Sequence, residues 1–145
     1  MAHEKLDRLA VYGGKGFWLR AAYMDGFGDK SITAVVRLGD RSDPANPRNN
    51  PIGEDLPVRF IRVPGNQEAG IEPKLFDDDG ITVRVTASSA RLIRDLTPDD
   101  LRGCAPDCTT PELVRYHLAT INNTCLPSPN EAVTIFRFEY RPSAR

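Results

Sequence analysis

Four polar side chains lie close enough along one short stretch to do chemistry together. They are Lys30, Ser31, Thr33 and Arg37, within Gly28-Asp29-Lys30-Ser31-Ile32-Thr33-Ala34-Val35-Val36-Arg37. An amine placed beside a hydroxyl has the makings of an activated nucleophile. Gly26 and Gly28 predict a tight turn, because glycine adopts backbone angles closed to other residues. Ile32, Val35 and Val36 supply the β-branched bulk of a strand. Side chains alternate along a strand, so Ser31 and Thr33 share one face and Lys30 would lie on the other. Lys30 and Thr33 can meet only if Lys30 sits in the turn and its stem reaches forward. The same residues also suit an ordinary solvated strand entry.

The elements that must position these groups belong to a chain of 145 residues with net charge −1, 40% hydrophobic and 27% charged. That is a single-domain length, read here as one domain over 1–145, and such a chain buries about 68–70% of its unfolded surface. A near-neutral chain exerts no global pull on nucleic acid. The basic residues are mostly Arg, with Lys only at 5, 15, 30 and 74, and Arg suits bidentate phosphate contacts. The charged start, Met1 to Arg8, shows no apolar signal core, and no run approaches a membrane span. Cys104, Cys108 and Cys125 form an odd set that fits no secreted disulfide framework. The expectation is a cytoplasmic protein without membrane contact.

Residues 4–24 predict a helix interrupted at Gly13-Gly14, followed by a strand at 31–38. The Pro- and Asn-rich segment 39–51 predicts a long loop. Gly53-Glu54-Asp55-Leu56 opens a strand over Val58–Val63, whose alternation breaks between Phe60 and Ile61 as at a bulge. Residues 64–80 predict another loop, with Asp77-Asp78-Asp79 as a solvated turn. Ile81–Ala87 alternates cleanly as a strand, and Arg91–Leu96 continues or follows it. Thr97-Pro98-Asp99-Asp100 carries the signals of a short helix start, interrupted at Cys104–Cys108. Thr110-Pro111-Glu112 starts a second helix with Leu113, Val114, His117, Leu118 and Ile121 on one stripe. Asn122-Asn123 and Pro127–Pro129 end it. Ala132–Arg141 is the last strand, with Phe136, Phe138 and Tyr140 on one face. The order predicts an α+β protein: a small, mostly antiparallel β-barrel with short helices at one side. No dinucleotide or P-loop fingerprint is present, and no cofactor is expected.

Four segments together resemble the ASCH domain proteins, a branch of the PUA-like superfamily. Gly28-Asp29-Lys30-Ser31-Ile32-Thr33 with Arg37 is similar to the family's G-x-K-[ST]-x-[ST]-x-R, with the Arg falling later than in that pattern. Pro51-Ile52-Gly53-Glu54-Asp55-Leu56 resembles the turn that opens the next strand. Val83–Thr86 leading to Asp95–Asp100 resembles the following strand and turn. Thr110–Leu113 with Val133–Tyr140 resembles the closing helix and strand. The set runs in order over roughly residues 17–141. The resemblance implies a PUA-like barrel and a partner that is a modified nucleoside or single-stranded RNA. Similar short bacterial proteins are amidohydrolases of N4-acetylcytidine that use a Lys, a Thr and a Glu. By that resemblance Lys30 and Thr33 are catalytic, with Thr33 attacking the amide and a buried Lys30 taking its proton. Ser31 and Arg37 would bind substrate. Where the family has its Glu, this chain has Arg102-Gly103-Cys104-Ala105-Pro106-Asp107, so Asp107 stands in as the catalytic carboxylate, with Asp100 as the alternative. A non-catalytic RNA-binding module and a ribonuclease are the competing functions.

No metal is expected. Cys104, Cys108, His117 and Cys125 could in principle hold zinc, but their spacing matches no common zinc module, and His117 lies on the apolar helix stripe. Among the aromatics, Trp18 and Phe27 are the candidates for stacking on a base. Arg37, Arg41 and Arg48 are candidates for phosphate contacts.

Overall fold

Alternating apolar residues build most of this molecule into one curled sheet. The computed structural model describes residues 17–46, 49–63, 69–71, 74–77, 80–122 and 124–142. The predicted helix before Phe17, as well as Arg48, Asp78 and Asp79, falls outside the described residues. Six strands form the sheet: β1 (Phe17–Arg20), β2 (Ala34–Leu38), β3 (Asp55–Val63), β4 (Lys74–Asp77), β5 (Thr82–Leu92) and β6 (Ala132–Tyr140). Their hydrogen-bonded order is β1-β3-β5-β6-β2, with β4 paired to β3 off that path. A 3-10 turn at Ala21–Tyr23 and the five-residue helix α1 (Met24–Gly28) follow β1, and α2 (Pro111–Asn122) precedes β6.

The sheet is mixed rather than mostly antiparallel in one respect: β1 runs parallel to β3, with Phe17 opposite Val58 and Arg20 opposite Ile61. Residues 17–20 are therefore strand, where a helix over 4–24 was expected. Phe17 and Leu19 are both buried and two apart, which is strand spacing. Their partner strand lies some forty positions downstream, where no local pattern points to it. The expected loop at 64–80 contains β4. Phe60 and Ile61 are both buried without a bulge. β3 has β1 on one edge and β4 on the other there, and the burial of consecutive residues on opposite sides shows that both faces are covered at that point.

The true bulge lies in β5, where the register against β6 shifts between Val85 and Ala87. A bulge bends its strand and increases twist. β3 pairs with β5 only over Asp55–Pro57 and then departs toward β1 and β4. Pro57, which has no amide hydrogen, stands at the end of that ladder. These two features curl the sheet into a half-barrel. Among the described residues no pairing joins β2 to β1, so the barrel expected from the sequence is not closed by hydrogen bonds.

Both faces of β2, and of β6 over Val133–Phe136, are covered. Val35, Phe136 and Phe138 face the interior of the curl with Phe17, Leu19, Phe27, Leu56, Val58 and Phe60. Ala34, Val36, Val133 and Ile135 face the other way, onto Ile93, Leu96, Leu101, Val114 and Leu118. The helix α2 caps this second core. Its Thr110 accepts from the Leu113 amide at 3.2 Å through Oγ1, as an N-cap residue does. The expected helix at 97–100 does not form. Thr97 and Asp100 bond each other's amides reciprocally, but only turns follow before a 3-10 turn at Pro106–Cys108.

Phe136 has no solvent exposure and its ring lies 5.7 Å from that of Phe17. Phe136→Ala is expected to cost roughly 3–5 kcal/mol, measured by urea unfolding. A loss under about 1 kcal/mol would contradict its place at the centre of the inner core.

Candidate functional site

The turn that carries Lys30 owes its shape to Lys30 itself. Lys30 has φ of 63°, and it is the one non-glycine residue with positive φ among those described. Gly26 and Gly28, expected to provide such angles, belong to α1 instead. Gly26 serves another purpose: a Cβ there would fall 2.4 Å from Ile32 Cδ1, so its hydrogen lets Ile32 tuck into the core. The turn is fixed from several sides. The Ile32 amide donates to the Gly26 carbonyl at 3.1 Å. The Ser31 amide donates to Asp29 Oδ1 at 2.9 Å, and the Ser31 contact holds the Asp29 carboxyl below its ordinary range. The Tyr140 hydroxyl donates to the Ile32 carbonyl at 2.5 Å.

Lys30, Ser31 and Thr33 are all exposed. Lys30 Nζ lies 5.9 Å from the centre of the Tyr140 ring, so the burial that a base-like amine requires is not present. Ser31 Oγ turns back toward the Gly26 carbonyl at 3.4 Å. Thr33 is joined to the loop 101–108, because its amide donates to the Gly103 carbonyl at 2.8 Å. Gly103 has φ of 84°, and a Cβ there would lie 2.2 Å from Thr33 Oγ1. Only glycine permits that approach. Arg137 on β6 pins the same loop, donating to the carbonyls of Arg102 at 2.6 Å, Asp99 at 2.7 Å and Asp100 at 3.0 Å.

The other two expected site residues lie away from that rim. Arg37 is buried on β2, with its guanidinium 5.9 Å from the Phe17 ring centre. Burial pushes it down to about 10, so it remains a cation at neutral pH. Asp107 bonds Arg20 Nη1 at 2.8 Å through Oδ2 and the Tyr23 hydroxyl at 2.6 Å through Oδ1. The structure therefore divides the expected set. Lys30, Ser31 and Thr33 form an exposed rim, Arg37 belongs to a buried polar cluster behind it, and Asp107 stands half-exposed at the edge of that cluster. Ile32 bridges rim and cluster, since it lines the same narrow cavity as Arg37, Tyr23, Cys104, Cys108 and His117. Phe27 is buried rather than available for stacking, and the Trp18 side chain lies outside the described part of the structure.

Tyr23 is the member of this cluster that the sequence did not single out, and His117 was named only as one of four residues that could in principle hold zinc. The Tyr23 hydroxyl lies 2.6 Å from His117 Nδ1 and 3.7 Å from Cys108 Sγ, and the two rings stack at 5.4 Å. A phenol has one hydrogen. With that hydrogen given to the Asp107 carboxylate, His117 Nδ1 must be the protonated nitrogen and donate to the phenol oxygen. Burial, then the nearby Arg37 charge, pushes His117 down to about 4, so its ring is neutral. Burial also pushes Cys108 up to about 12 and Cys104 up to about 11, and it raises Tyr23 as well. These thiols are protonated and not primed for nucleophilic attack. The one available signal was the helix stripe, which puts His117 between Val114 and Leu118 and makes its burial legible. Nothing local points from His117 to Tyr23.

The fold has a solved counterpart. The crystal structure of protein EF3133 from Enterococcus faecalis V583, described by the family model DUF984, matches this chain with a TM-score of 0.51. The identity is 10%, over 87% of this chain and 80% of that one. A likeness at that identity concerns the small curled α+β fold alone. No protein-family model and no curated protein matches the chain.

The neutral buried His117 gives a pH dependence. An unfolded histidine takes up a proton below about 6.5, whereas His117 in the folded chain does so only near 4. Between those values the unfolded state binds more protons, so stability falls as pH falls. The contribution is about 3 kcal/mol at most. Exposed carboxylates titrate in the same range, so the readout is a difference. In urea unfolding with a chelator present, His117→Gln is expected to flatten the slope between pH 4 and 6.5. An unchanged slope would refute the assignment.

Proposed function

We propose that this chain is an ASCH-type, PUA-like protein that binds a nucleoside or single-stranded RNA at the rim formed by Lys30–Thr33 and the 101–108 loop. The reaction best matched to that rim is hydrolysis of the acetyl amide of N4-acetylcytidine. The observation that carries the reading is the held turn, in which Lys30 keeps a left-handed backbone and presents Lys30 and Thr33 outward together. A non-glycine residue in that conformation costs of order 1–3 kcal/mol and persists where its surroundings over-determine it, which is common at ligand sites. The ordered resemblance over roughly residues 17–141 supplies the substrate class.

In this reading the Thr33 hydroxyl attacks the acetyl carbonyl and passes its proton to Lys30. The tetrahedral intermediate collapses, cytidine leaves with a proton on its amino nitrogen, and water then cleaves the acetyl-threonine ester. A base seated over the turn would exclude water from Lys30, the condition under which an amine works as a base. Asp107 contributes by fixing the loop through Arg20 and Tyr23. Because both of its oxygens are so engaged, a second reading has specific support: a binding module that recognises RNA without cleaving it.

Conversion of N4-acetylcytidine to cytidine, followed by chromatography, separates the two. Turnover is expected, with Lys30→Ala and Thr33→Ala each lowering it by about 10²-fold or more. Absence of turnover, with single-stranded RNA bound and affinity falling steeply with salt, would establish the binding module. Neither turnover nor RNA binding would overturn the proposal.

A further inference from the structure

The buried cluster behind the rim has the composition of a metal site. Asp107, Cys108 and His117 each offer one ligand atom, and these atoms lie within 4.8 Å of one another. The Tyr23 oxygen sits among them, 2.6 Å from Asp107 Oδ1, 2.6 Å from His117 Nδ1 and 3.7 Å from Cys108 Sγ. Cys108 Sγ in turn lies 3.6 Å from Asp107 Oδ1. Four donors of three kinds therefore converge, held together by shared hydrogens. We propose that Asp107, Cys108 and His117, with Tyr23 as the fourth donor, bind a divalent transition metal of the zinc class.

The chemistry of the donor set selects the ion. Thiolate, imidazole and one carboxylate or phenol oxygen suit zinc, cobalt and their neighbours, whereas calcium and magnesium demand mostly oxygen. Tetrahedral zinc takes nitrogen and oxygen at about 2.0–2.2 Å and sulfur at about 2.3 Å, so its ligand atoms stand roughly 3.3–3.7 Å apart. The two Tyr23 edges, to Asp107 and to His117, are tighter than that at 2.6 Å, the two Cys108 edges to Tyr23 and Asp107 already match at 3.7 and 3.6 Å, and an ion would draw the phenol oxygen off its two hydrogen bonds to enter. The charges balance as well. A dication offsets the Asp107 carboxylate and a Cys108 thiolate, while Arg20, bonded to Asp107, and Arg37, across the cavity, favour the added negative donor at Tyr23. Cys108, His117 and Tyr23 are buried, and the Asp107 side chain is 42% exposed, which gives an ion its way in. Arg20 holds Asp107 from outside, in the manner of the supporting partner that orients a metal ligand.

Binding takes the form of an exchange: the ion displaces the Cys108 thiol hydrogen and the Tyr23 phenol hydrogen to solvent as two protons, and the His117 hydrogen moves from Nδ1 to Nε2 so that Nδ1 can ligate. Proton release is therefore part of the reaction. The site is independent of the nucleoside reading, and its test uses no nucleoside.

Cobalt(II) titrated into the chelator-treated full chain is expected to give a thiolate-to-cobalt charge-transfer band that saturates at one ion per chain. Zinc should abolish that band and release protons in a weakly buffered solution. Cys125→Ser, which changes an exposed cysteine outside the cluster, should keep the band. Cys108→Ser should lose it, with circular dichroism reporting the fold. Absence of the band in the unaltered chain would overturn the proposal, as would its loss in Cys125→Ser with persistence in Cys108→Ser. If Cys108→Ser does not fold, the unaltered chain and Cys125→Ser decide the matter between them.

Discussion

The hydroxyl of Tyr23 is the point on which the polar interior depends. A buried phenol without partners costs a few kcal/mol, and this one has three. Asp107 comes from the loop before α2, Cys108 from the same 3-10 turn, and His117 from α2 itself. The buried Cys108 and His117 depend on this oxygen as a polar partner. Arg20, at the end of β1, closes the arrangement from outside at 2.8 Å from Asp107. A single oxygen thus ties the first described strand to the helix that caps the second core. Low local dielectric makes such a network rigid when satisfied and costly when one member is missing.

Around that point the hydrophobic architecture follows a simple constraint. β2 pairs along its length with Val133–Arg137 of β6, and over Val133–Phe136 both faces are buried, so the pair acts as a wall between two cores rather than a skin over one. A wall of that kind holds neighbouring backbone in place. The rim turn enters β2 directly, and Arg137 reaches from β6 to the carbonyls of the 99–102 segment. The turn and the loop that face each other across Thr33 and Gly103 therefore hang from adjacent strands.

Much of the strand plan was legible because its signals are local. The alternation of Ile81–Ala87 and of Ala132–Tyr140 gives β5 and β6, and Thr110-Pro111-Glu112 marks the start of α2. β1 was not legible, since Ala21, Ala22, Tyr23 and Met24 mimic a helical run and the partner that makes Phe17–Arg20 a strand lies in β3. The rim was legible in residue type but not in mechanism: the left-handed angle falls on Lys30 and not on the neighbouring glycines. Arg37 was found as a residue and misplaced in setting, because burial depends on what packs over a side chain, and the partners that engage both oxygens of Asp107 come from the distant segment Arg20–Tyr23. The Tyr23–His117 contact had no sequence signal at all.

The separation of those partners along the chain bears on how the molecule folds. Arg20 and Asp107 lie 87 positions apart, and Tyr23 and His117 lie 94 apart. Closing loops of that length carries an entropic penalty that must be met before any contact within them is rewarded. The β5–β6 pairing and the packing of α2 on the sheet span shorter separations and can nucleate first. The Tyr23 network then belongs to the final docking of β1 and its turn onto an assembled sheet. By sequence separation that docking comes last, and amides around the network should exchange with solvent through openings smaller than global unfolding.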